Sequence, residues 1–395
     1  MLFASQKISS INFSFLDRPP SKITSPMNHI ILFVDYFTPH IWGIEQLFWD
    51  ITKALLNQQY RVSIVTSRHS KLLQEKESDK NLTIYRVWSS RQNFRRYSFI
   101  WGIRHREIIQ SSTHIHTTTF TAAFPAWILA YIYNKKISIT IHEVYKEIRH
   151  ILKWRRGIFY RLYEVVLVRL PRDTIITPSQ YTQQSILQLH PRLQSPLSVI
   201  YNQIDYHFRS EKERNQISFI QQKKTDWIFI GRLWKEKWIE TILKALPSIR
   251  QEIPRFRLHI VSDPSDKEKL MIDNIIKELS IEQMIIWHNT IQDDKLLRDL
   301  MLSCAIGIVP SISEWFCYTA VQMEALWLPI IASRTGSLPE VLDHQTTIFI
   351  PYWDREALSK AVISFFHKKQ DSTRYTIKKR FSNTLLAYIT IFSAK

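Results

Sequence analysis

From residue 29 onward, short apolar runs alternate with longer segments whose apolar residues recur at helical spacing. HIILFVD (residues 29–35), RVSIVT (61–66) and KISITIHE (136–143) each predict a buried strand. The segment after the first strand places its apolar residues on one helical face: Ile44, Leu47, Phe48, Ile51 and Leu55. This alternation predicts a parallel sheet with helices on both faces.

The same pattern starts again after residue 205. DWIFIGRL predicts a strand and turn, IETILKALPSIRQEI a helix, and RLHIVSD, IGIVPS and LPIIAS three more buried strands. We therefore predict an α/β protein of two Rossmann-like, doubly wound domains that face a cleft, spanning residues 27–205 and 206–375. We expect residues 1–26 to be disordered or spurious, and residues 376–395 to form a helix that packs back on the N-terminal domain.

Several protein classes are disfavoured by the composition. The two cysteines, Cys304 and Cys317, cannot form a disulfide framework or a multi-cysteine zinc site, which favours a reducing, cytosolic compartment. The longest apolar stretch (residues 120–133) contains Pro125 and is shorter than the roughly 20 residues of a spanning helix, so we predict a buried core helix there. Residues 1–26 lack the features of a signal peptide.

The net charge of +18 implies an anionic partner. Two segments (residues 91–110 and 149–172) interleave basic residues with aromatic ones, a pattern that suits the interface of an anionic membrane. Solvated helix faces explain the same pattern equally well. Nucleic acid is a third possible partner, but no recognition motif accompanies these segments, so we predict no nucleic-acid binding.

Candidate site residues follow predicted strands, where helix N-termini favour phosphate. Arg232 and Lys237 could neutralise a diphosphate or could be solvated surface cations. Glu314 precedes a helix and could bind sugar hydroxyls or simply cap that helix. His142 closes a strand and could donate a hydrogen bond to a sugar or could be a core histidine. No motif predicts a metal site or a cofactor.

In chain order these segments resemble the retaining glycosyltransferases of the GT-B fold known as family 4, or glycosyl transferases group 1. The motifs that carry the resemblance are PHIWGIE, the strand end IHE, TPSQYT, VIYNQID, GRLWKEK, SEWFCYTA and LPIIASRTGSLPEV. The resemblance implies that Arg232 and Lys237 bind phosphate, that Glu314 contacts the donor sugar, and that His142 bonds the transferred sugar. It places further donor-binding residues at Gly43, Gly231, Phe316, Cys317, Tyr318, Thr319 and Gln322. It also implies a retaining, front-face reaction without metal, in which leaving-group phosphate helps to deprotonate the acceptor.

The sequence departs from the family pattern at several motifs. The second acid of the family's E-x7-E motif is Gln322 here, with Glu324 two residues later, and an amide binds a ribose hydroxyl less strongly than a carboxylate does. The family's NG(I/V)D motif reads Asn202-Gln203-Ile204-Asp205, and its glycine-rich segment reads Ser262-Asp263-Pro264.

Tryptophan occupies positions where the family has glycine. The chain has 6 glycines and 13 tryptophans, and the tryptophans at family glycine positions are Trp42, Trp234, Trp238, Trp315, Trp327 and Trp353. An indole obstructs a backbone that must approach phosphate or adopt positive φ. We interpret the pattern as UGA codons that specify glycine in the source lineage and were translated as tryptophan. The alternative is a correct sequence with a degenerate donor site.

The resulting hypothesis is an enzyme that moves a sugar from a nucleotide-sugar donor, UDP- or GDP-linked, to a lipid-linked or polysaccharide acceptor. We expect a cytoplasmic protein that binds peripherally to the inner face of the cell membrane. The alternative hypothesis is a catalytically inactive sugar-nucleotide-binding or scaffold protein of the same fold.

Overall fold

The computed structural model describes residues 28–40, 43–88, 91–119, 121–144, 154–204, 225–233, 237–291, 293–367 and 384–393. These residues form two compact units. One unit comprises Met1–Lys146, Arg155–Gln203 and Asn383–Lys395, and the other Glu147–Trp154 and Ile204–Ser382. The predicted N-terminal extension (residues 1–26) lies outside the described residues, as do Trp42 and Trp234.

The first unit is built on an eight-stranded sheet in the order β3-β4-β2-β1-β5-β6-β7-β8. Its strands are β1 (His29–Phe33), β2 (Arg61–Arg68), β3 (Lys76–Asp79), β4 (Leu82–Trp88), β5 (His114–Thr118), β6 (Lys136–Thr140), β7 (Thr174–Thr177) and β8 (Leu197–Val199). All neighbouring pairs are parallel except β3 with β4. All five residues of β1 are buried, as expected for a central strand covered on both faces.

Helices cover this sheet on both faces. They are α1 (Gly43–Asn57), α2 (Arg91–Arg104), α3 (Arg106–Ser111), α4 (Ala123–Ile132), α5 (Trp154–Arg169) and α6 (Gln180–Leu189). The apolar face predicted for α1 is confirmed, because Leu47, Phe48, Ile51 and Leu55 are all buried. Ser179 begins α6 by accepting a hydrogen bond from the Thr182 N–H at 3.1 Å.

The apolar stretch at residues 120–133 forms only the ten-residue α4. Its first eight residues supply buried side chains at Ala123, Pro125, Ala126, Leu129 and Ala130, as predicted for a core helix. Its end differs from the prediction, because Tyr131 is 78% exposed and Ile132 is 50% exposed. No helix in the described part of the chain is long and apolar enough to cross a membrane.

The second unit is built on a six-stranded, fully parallel sheet in the order β11-β10-β9-β12-β13-β14. Its strands are β9 (Trp227–Ile230), β10 (Leu258–Val261), β11 (Ile285–His288), β12 (Ile306–Val309), β13 (Ile330–Ser333) and β14 (Thr347–Ile350). Its helices are α7 (Ile239–Glu252), α8 (Asp266–Glu278), α9 (Asp294–Ser303), α10 (Tyr318–Ala325), α11 (Leu338–Val341) and α12 (Arg355–His367). The two parallel-sheet domains predicted from the repeated pattern are thus present.

The last described helix, α13 (Thr384–Ser393), belongs to the first unit. Tyr388 is fully buried and its hydroxyl lies 3.3 Å from Thr140 Oγ1 at the end of β6. The Phe392 ring packs on His114 and His116 of β5, with ring centroids 4.9 and 5.2 Å apart. The aromatic residues of this helix therefore complete the core of the first unit.

Candidate functional site

Three loops of the second unit meet at one edge of its sheet. They follow β9, β12 and β13, which are neighbouring parallel strands, and their described residues are 231–233 with 237–238, 310–317 and 334–337. Because the carboxyl ends of parallel strands lie at the same edge, this edge is where open α/β sheets bind ligands. The predicted site residues Gly231, Arg232, Lys237, Glu314, Phe316 and Cys317 are located in these loops.

The centre of this edge is an ion pair between Lys237 and Glu314. Lys237 Nζ donates a hydrogen bond to Glu314 Oε1, and the Ser311 hydroxyl donates to the same oxygen at 2.7 Å. The Glu314 side chain is only 8% exposed. Burial by itself lowers the pKa of Lys237, but the neighbouring Glu314 and Cys317 outweigh burial and raise it. Lys237 therefore carries its charge at neutral pH, and Glu314 is a partner for that cation, not a cap for the helix.

The loop after β13 fixes the Glu314 segment from behind. The Ser337 N–H donates to the Glu314 carbonyl at 2.9 Å, and the Thr335 hydroxyl donates to the Ile312 carbonyl at 2.8 Å. Gly336 has a φ of +56°, and a Cβ placed on it would lie 2.1 Å from the Glu314 carbonyl oxygen. Only glycine fits there. Ser311 and Gly336 were not predicted as site residues, although Gly336 lies within the quoted motif LPIIASRTGSLPEV.

Helix α10 begins at this edge, directly after the Glu314 loop. Its first residue is Tyr318, and its N-cap is Cys317 in a left-handed conformation (φ 65°). The predicted residues Phe316, Cys317, Tyr318 and Thr319 thus span the helix N-terminus, where backbone N–H groups favour an anion. Burial and the Glu314 charge raise the pKa of the Cys317 thiol to about 11, so it stays protonated at neutral pH.

Gly231 and Arg232 follow β9 directly. The aliphatic part of Lys237 passes close to Gly231, so that a Cβ added there would lie 3.7 Å from Lys237 Cδ. Arg232 is exposed to solvent and its charge lowers the pKa of Lys237, although less than Glu314 raises it. The loop thus presents one half-buried cation, Lys237, and one exposed cation, Arg232, after the same strand.

Gln322 and Glu324 lie on different sides of α10. Gln322 lines a small cavity together with Asp294, Arg298 and Met301 of α9. Glu324 is buried and accepts hydrogen bonds from the Asp343 N–H and, at 3.3 Å, from the Thr346 hydroxyl. Glu324 therefore fixes the loop before β14 and does not share the position of the Lys237–Glu314 pair.

The predicted site residues of the first unit are His142 and Gly43. His142 follows the end of β6 by two residues, so the strand predicted to reach residue 143 ends earlier, at Thr140. Burial lowers the pKa of His142 to about 3, which makes its imidazole neutral at physiological pH. Its buried Nε2 has no hydrogen-bond partner among the described residues. Gly43 is the first residue of α1.

Four of the six tryptophans at family glycine positions are described. Trp238, Trp327 and Trp353 have φ values of 44°, 61° and 67°. Trp315 stands between Glu314 and Phe316, is half-buried, and is not among the residues with positive φ. Trp315 therefore lacks the positive φ that the other three tryptophans share.

Two family profiles match consecutive parts of the chain. Glycosyltransferase Family 4 matches residues 41–208, and Glycosyl transferases group 1 matches residues 210–380. Among curated relatives, an uncharacterized 41.2 kDa protein in the cps region of Klebsiella pneumoniae is 21% identical over 71% of this chain and 78% of its own length. The glycogen synthase of Mycobacterium tuberculosis is 27% identical over 63% of this chain. The chain spans 59% of that synthase and 45% of an uncharacterized glycosyltransferase of Methanocaldococcus jannaschii.

Solved structures share the fold at low identity. Sucrose-phosphate synthase from Thermosynechococcus elongatus has a TM-score of 0.74 at 19% identity, covering 86% of this chain and 90% of that one. Anabaena HepE in complex with UDP and glucose has a TM-score of 0.66 at 16% identity, with the same coverage. The catalytic domain of starch synthase IV from Arabidopsis thaliana, bound to ADP and acarbose, has a TM-score of 0.66 at 14% identity, covering 93% of this chain and 99% of that one. With two matching profiles and this fold, the chain belongs to the family 4, group 1 glycosyltransferases and has a GT-B fold.

Proposed function

We propose that this glycosyltransferase moves a sugar from a nucleotide-sugar donor and retains its anomeric configuration. The observation that carries the proposal is the ion pair between half-buried Lys237 and buried Glu314 at the strand ends of the second unit, next to the N-terminus of α10. HepE is described with UDP-glucose and starch synthase IV with ADP, which supports a nucleotide-linked donor. In this proposal the nucleotide of the donor is UDP or GDP.

The two cations supply the charge that departure of the nucleotide requires. The Glu314 carboxylate balances the charge of Lys237, from which it accepts a hydrogen bond. On donor binding, Lys237 and Arg232 bind the diphosphate, and the freed Glu314 carboxylate accepts hydrogen bonds from sugar hydroxyls. Because both cations are permanent at neutral pH, they stabilise the developing diphosphate charge without a metal ion.

In this scheme, retention results from attack and departure on the same face of the sugar, with the leaving phosphate as the base. The acceptor hydroxyl attacks from the face that the nucleotide leaves, and a leaving phosphate oxygen takes its proton. His142 is neutral and cannot supply a charge, so its role is to bond a hydroxyl of the transferred sugar through Nε2. Neither His142 nor Glu314 forms a covalent intermediate in this scheme.

A matched pair of ion-pair variants tests the role of Lys237. Lys237→Met and Glu314→Gln, made in a chain with glycine at the six tryptophan positions, should each lower donor turnover by about 100-fold or more. Lys244 and Glu240 form an exposed pair at 3.0 Å on α7 and serve as the control. Lys244→Met and Glu240→Gln should leave turnover unchanged. Full turnover by Lys237→Met would disprove the proposed site, and loss of turnover with a chelator would disprove metal independence.

Exposed side chains of the first unit support the proposal that the acceptor is held at a membrane. Helix α2 packs against α4, and Phe124 of α4 contacts Tyr163 of α5 at a centroid distance of 5.2 Å. These helices expose apolar side chains at Tyr97, Ile103, Tyr131, Ile132, Leu162 and Val166. Arg95, Arg96, Arg104 and Arg106 are exposed beside them. Apolar groups with arginines suit the interface of an anionic bilayer. We therefore propose a lipid-linked or surface-polysaccharide acceptor at the cytoplasmic membrane face.

Vesicle flotation tests this surface. The protein should float with vesicles that contain phosphatidylglycerol and should remain in solution with pure phosphatidylcholine. Tyr131→Ser with Ile132→Ser should weaken flotation by about tenfold, since these side chains insert into the interface. Leu270→Ser with Met271→Ser, exposed on α8 of the second unit, is the control and should change nothing. Equal loss in both double variants would contradict the assigned surface.

The second candidate is a sugar-nucleotide-binding protein without activity. The observation that favours it is the bulk of Trp238, the residue after Lys237, whose ring lies 5.6 Å from that of Trp353. Donor protection against thermal unfolding separates the candidates, because only an open site binds and stabilises. Protection without turnover by the natural protein would favour the inactive form.

A further inference from the structure

Left-handed backbone positions in this chain carry an unusual set of residues. Among the described residues, eight non-glycine residues have positive φ, and Gly336 is the only glycine that does. Three of the eight are tryptophan: Trp238, Trp327 and Trp353. Bulky residues are outliers in this region, because Cβ then approaches the following carbonyl oxygen. Polar residues such as Asn134 are tolerated there more readily.

Trp327 occupies the position of a helix terminus at which glycine is most strongly preferred. It follows α10, and its N–H donates to the Glu324 carbonyl at 2.9 Å, while the Leu328 N–H donates to the Met323 carbonyl at 3.0 Å. These two bonds form a complete Schellman motif, with Trp327 as its left-handed residue. Glycine is the usual residue at that position, because it pays no Cβ penalty there.

Trp238 and Trp353 also stand where the backbone demands glycine. Trp238 is the N-cap of α7, yet its φ is 44° and its side chain caps nothing. An ordinary N-cap has extended backbone and an oxygen that accepts an N–H. Trp353 lies in the turn before Asp354, whose carboxylate accepts the Ala357 N–H at 2.8 Å. Trp353 is 49% exposed, so burial of its indole does little to offset the backbone strain.

Three other tryptophans make side-chain contacts from ordinary backbone conformations. Trp227 is fully buried in β9 and stacks on Phe256 at 4.0 Å. Trp287 in β11 lies beneath the Lys269 ammonium at 4.2 Å. Trp127 donates its Nε1–H to the Pro171 carbonyl at 2.8 Å. None of these three has positive φ. These six tryptophans therefore differ in backbone geometry: Trp238, Trp327 and Trp353 have the left-handed conformation that favours glycine, and Trp127, Trp227 and Trp287 do not.

The amino-acid composition also indicates that tryptophan has replaced glycine. The chain contains only 6 glycines in 395 residues, where ordinary usage of about 7% would give roughly 28, and it contains 13 tryptophans. We propose that residues 238, 327 and 353 of the natural protein are glycine, encoded by UGA, and that UGG encodes the tryptophans at 127, 227 and 287. If UGA is translated as tryptophan, residues 238, 327 and 353 change from glycine to tryptophan, and residues 127, 227 and 287 are unaffected. The proposal does not extend to Trp315, whose backbone does not require glycine.

Peptide sequencing of the protein isolated from its natural source tests the proposal directly. Tandem mass spectrometry should find glycine at 238, 327 and 353 and tryptophan at 127, 227 and 287, and the gene should carry UGA at the first three positions and UGG at the others. Tryptophan at 238, 327 and 353 would overturn the proposal. Glycine at 227 or 287 would equally overturn it, because the structural division of the tryptophans would then be wrong.

A stability measurement provides a second test that does not depend on enzymatic activity. The triple variant W238G/W327G/W353G should unfold on the order of 5–10 °C higher than the chain as written, because three strained residues are relieved. W227G with W287G, the matched control, should lower the unfolding midpoint, because indole contacts are lost. A triple variant that unfolds at or below the midpoint of the unchanged chain would overturn the proposal. Loss of sugar transfer in the triple variant would count only against the proposed function.

Discussion

Gly336 is the residue on which the geometry of Glu314 depends most directly. Gly336→Ala places a Cβ 2.1 Å from the Glu314 carbonyl oxygen and forces alanine into a left-handed conformation. The left-handed backbone alone costs about 1–2 kcal/mol, and relief of the clash must displace the Glu314 segment. We expect a lower free energy of unfolding and a loss of donor protection in thermal unfolding.

Gly231→Ala is the matched control for that change. Its Cβ would meet Phe229 and Lys237 at 3.6 and 3.7 Å, which is ordinary contact, and its backbone does not have positive φ. The free energy of unfolding should remain close to that of the parent, because neither a clash nor a left-handed alanine is introduced. Similar losses in the two variants would show that the Glu314 segment is not held by a glycine-specific approach.

At the residue scale, the sequence could predict the chemistry of the site but not the contacts that support it. Arg232, Lys237 and Glu314 lie in motifs at predicted strand ends, so their common location follows from parallel-sheet topology. The bond from Ser311 to Glu314 and the close approach of Gly336 depend on loop conformations, which hydrophobic spacing does not encode. The role of Glu324 also depends on a tertiary contact, the one with the Asp343 N–H.

At the element scale, the packing of the aromatic helix α13 on β5 can be tested by substitution. Phe392 is 3% exposed and packs on His114 and His116, so Phe392→Ala should destabilise the first unit by about 3–5 kcal/mol. Leu386→Ala removes a side chain of the same helix that is 52% exposed and should change stability by less than about 0.5 kcal/mol. Hydrogen exchange of the β5 and β6 amides measures the effect within the first unit.

A small effect of Phe392→Ala would mean that α13 is not packed on β5 in solution. Faster exchange in β9 and β12 than in β5 and β6 would contradict the assignment of α13 to the first unit. The two variants lie six residues apart on one helix, so a difference in helix propensity cannot explain a large difference between them.

The ends of elements were harder to predict than their existence. β6 ends at Thr140 although apolar alternation continues to Ile141, whose N–H still makes a ladder bond to the Ile176 carbonyl of β7. Helix α4 ends at Ile132, where Asn134 adopts a left-handed conformation and the Lys135 N–H bonds back to Ala130. The end of α4 is set by backbone hydrogen bonds rather than by hydrophobicity.

At the scale of the whole molecule, two parallel sheets follow from a strand–helix rhythm that occurs twice. Buried strands such as HIILF and IGIV lack the polar alternation of a half-exposed sheet, which is why a parallel, doubly covered sheet could be predicted from sequence. The antiparallel edge strand β3 could not be predicted, because KESD is polar throughout and lacks the apolar alternation of a strand. Strand order across each sheet likewise required the structure.

The buried histidines of the first unit predict how the stability of the molecule depends on pH. Burial lowers the pKa of His29 to about 4 and that of His114 and His142 to about 3, and it lowers that of His116 well below its usual value. Below pH 6.5 the unfolded chain therefore binds protons that the folded chain does not. The contribution of these neutral histidines to the free energy of unfolding is fully present above pH 6.5. It falls as pH decreases, by up to about 1.4 kcal/mol per pH unit for each group.

Thermal unfolding between pH 7.5 and 4.5 measures this dependence, and the midpoint should fall steeply below pH 6.5. His116→Asn removes one of the titrating groups, so its midpoint should fall less steeply even if the variant is less stable at pH 7.5. His367→Asn, at the exposed end of α12, should keep the slope of the parent. A midpoint that is constant down to pH 4.5 would show that these imidazoles reach water in the folded state, because only solvated histidines keep an ordinary pKa without a charged partner.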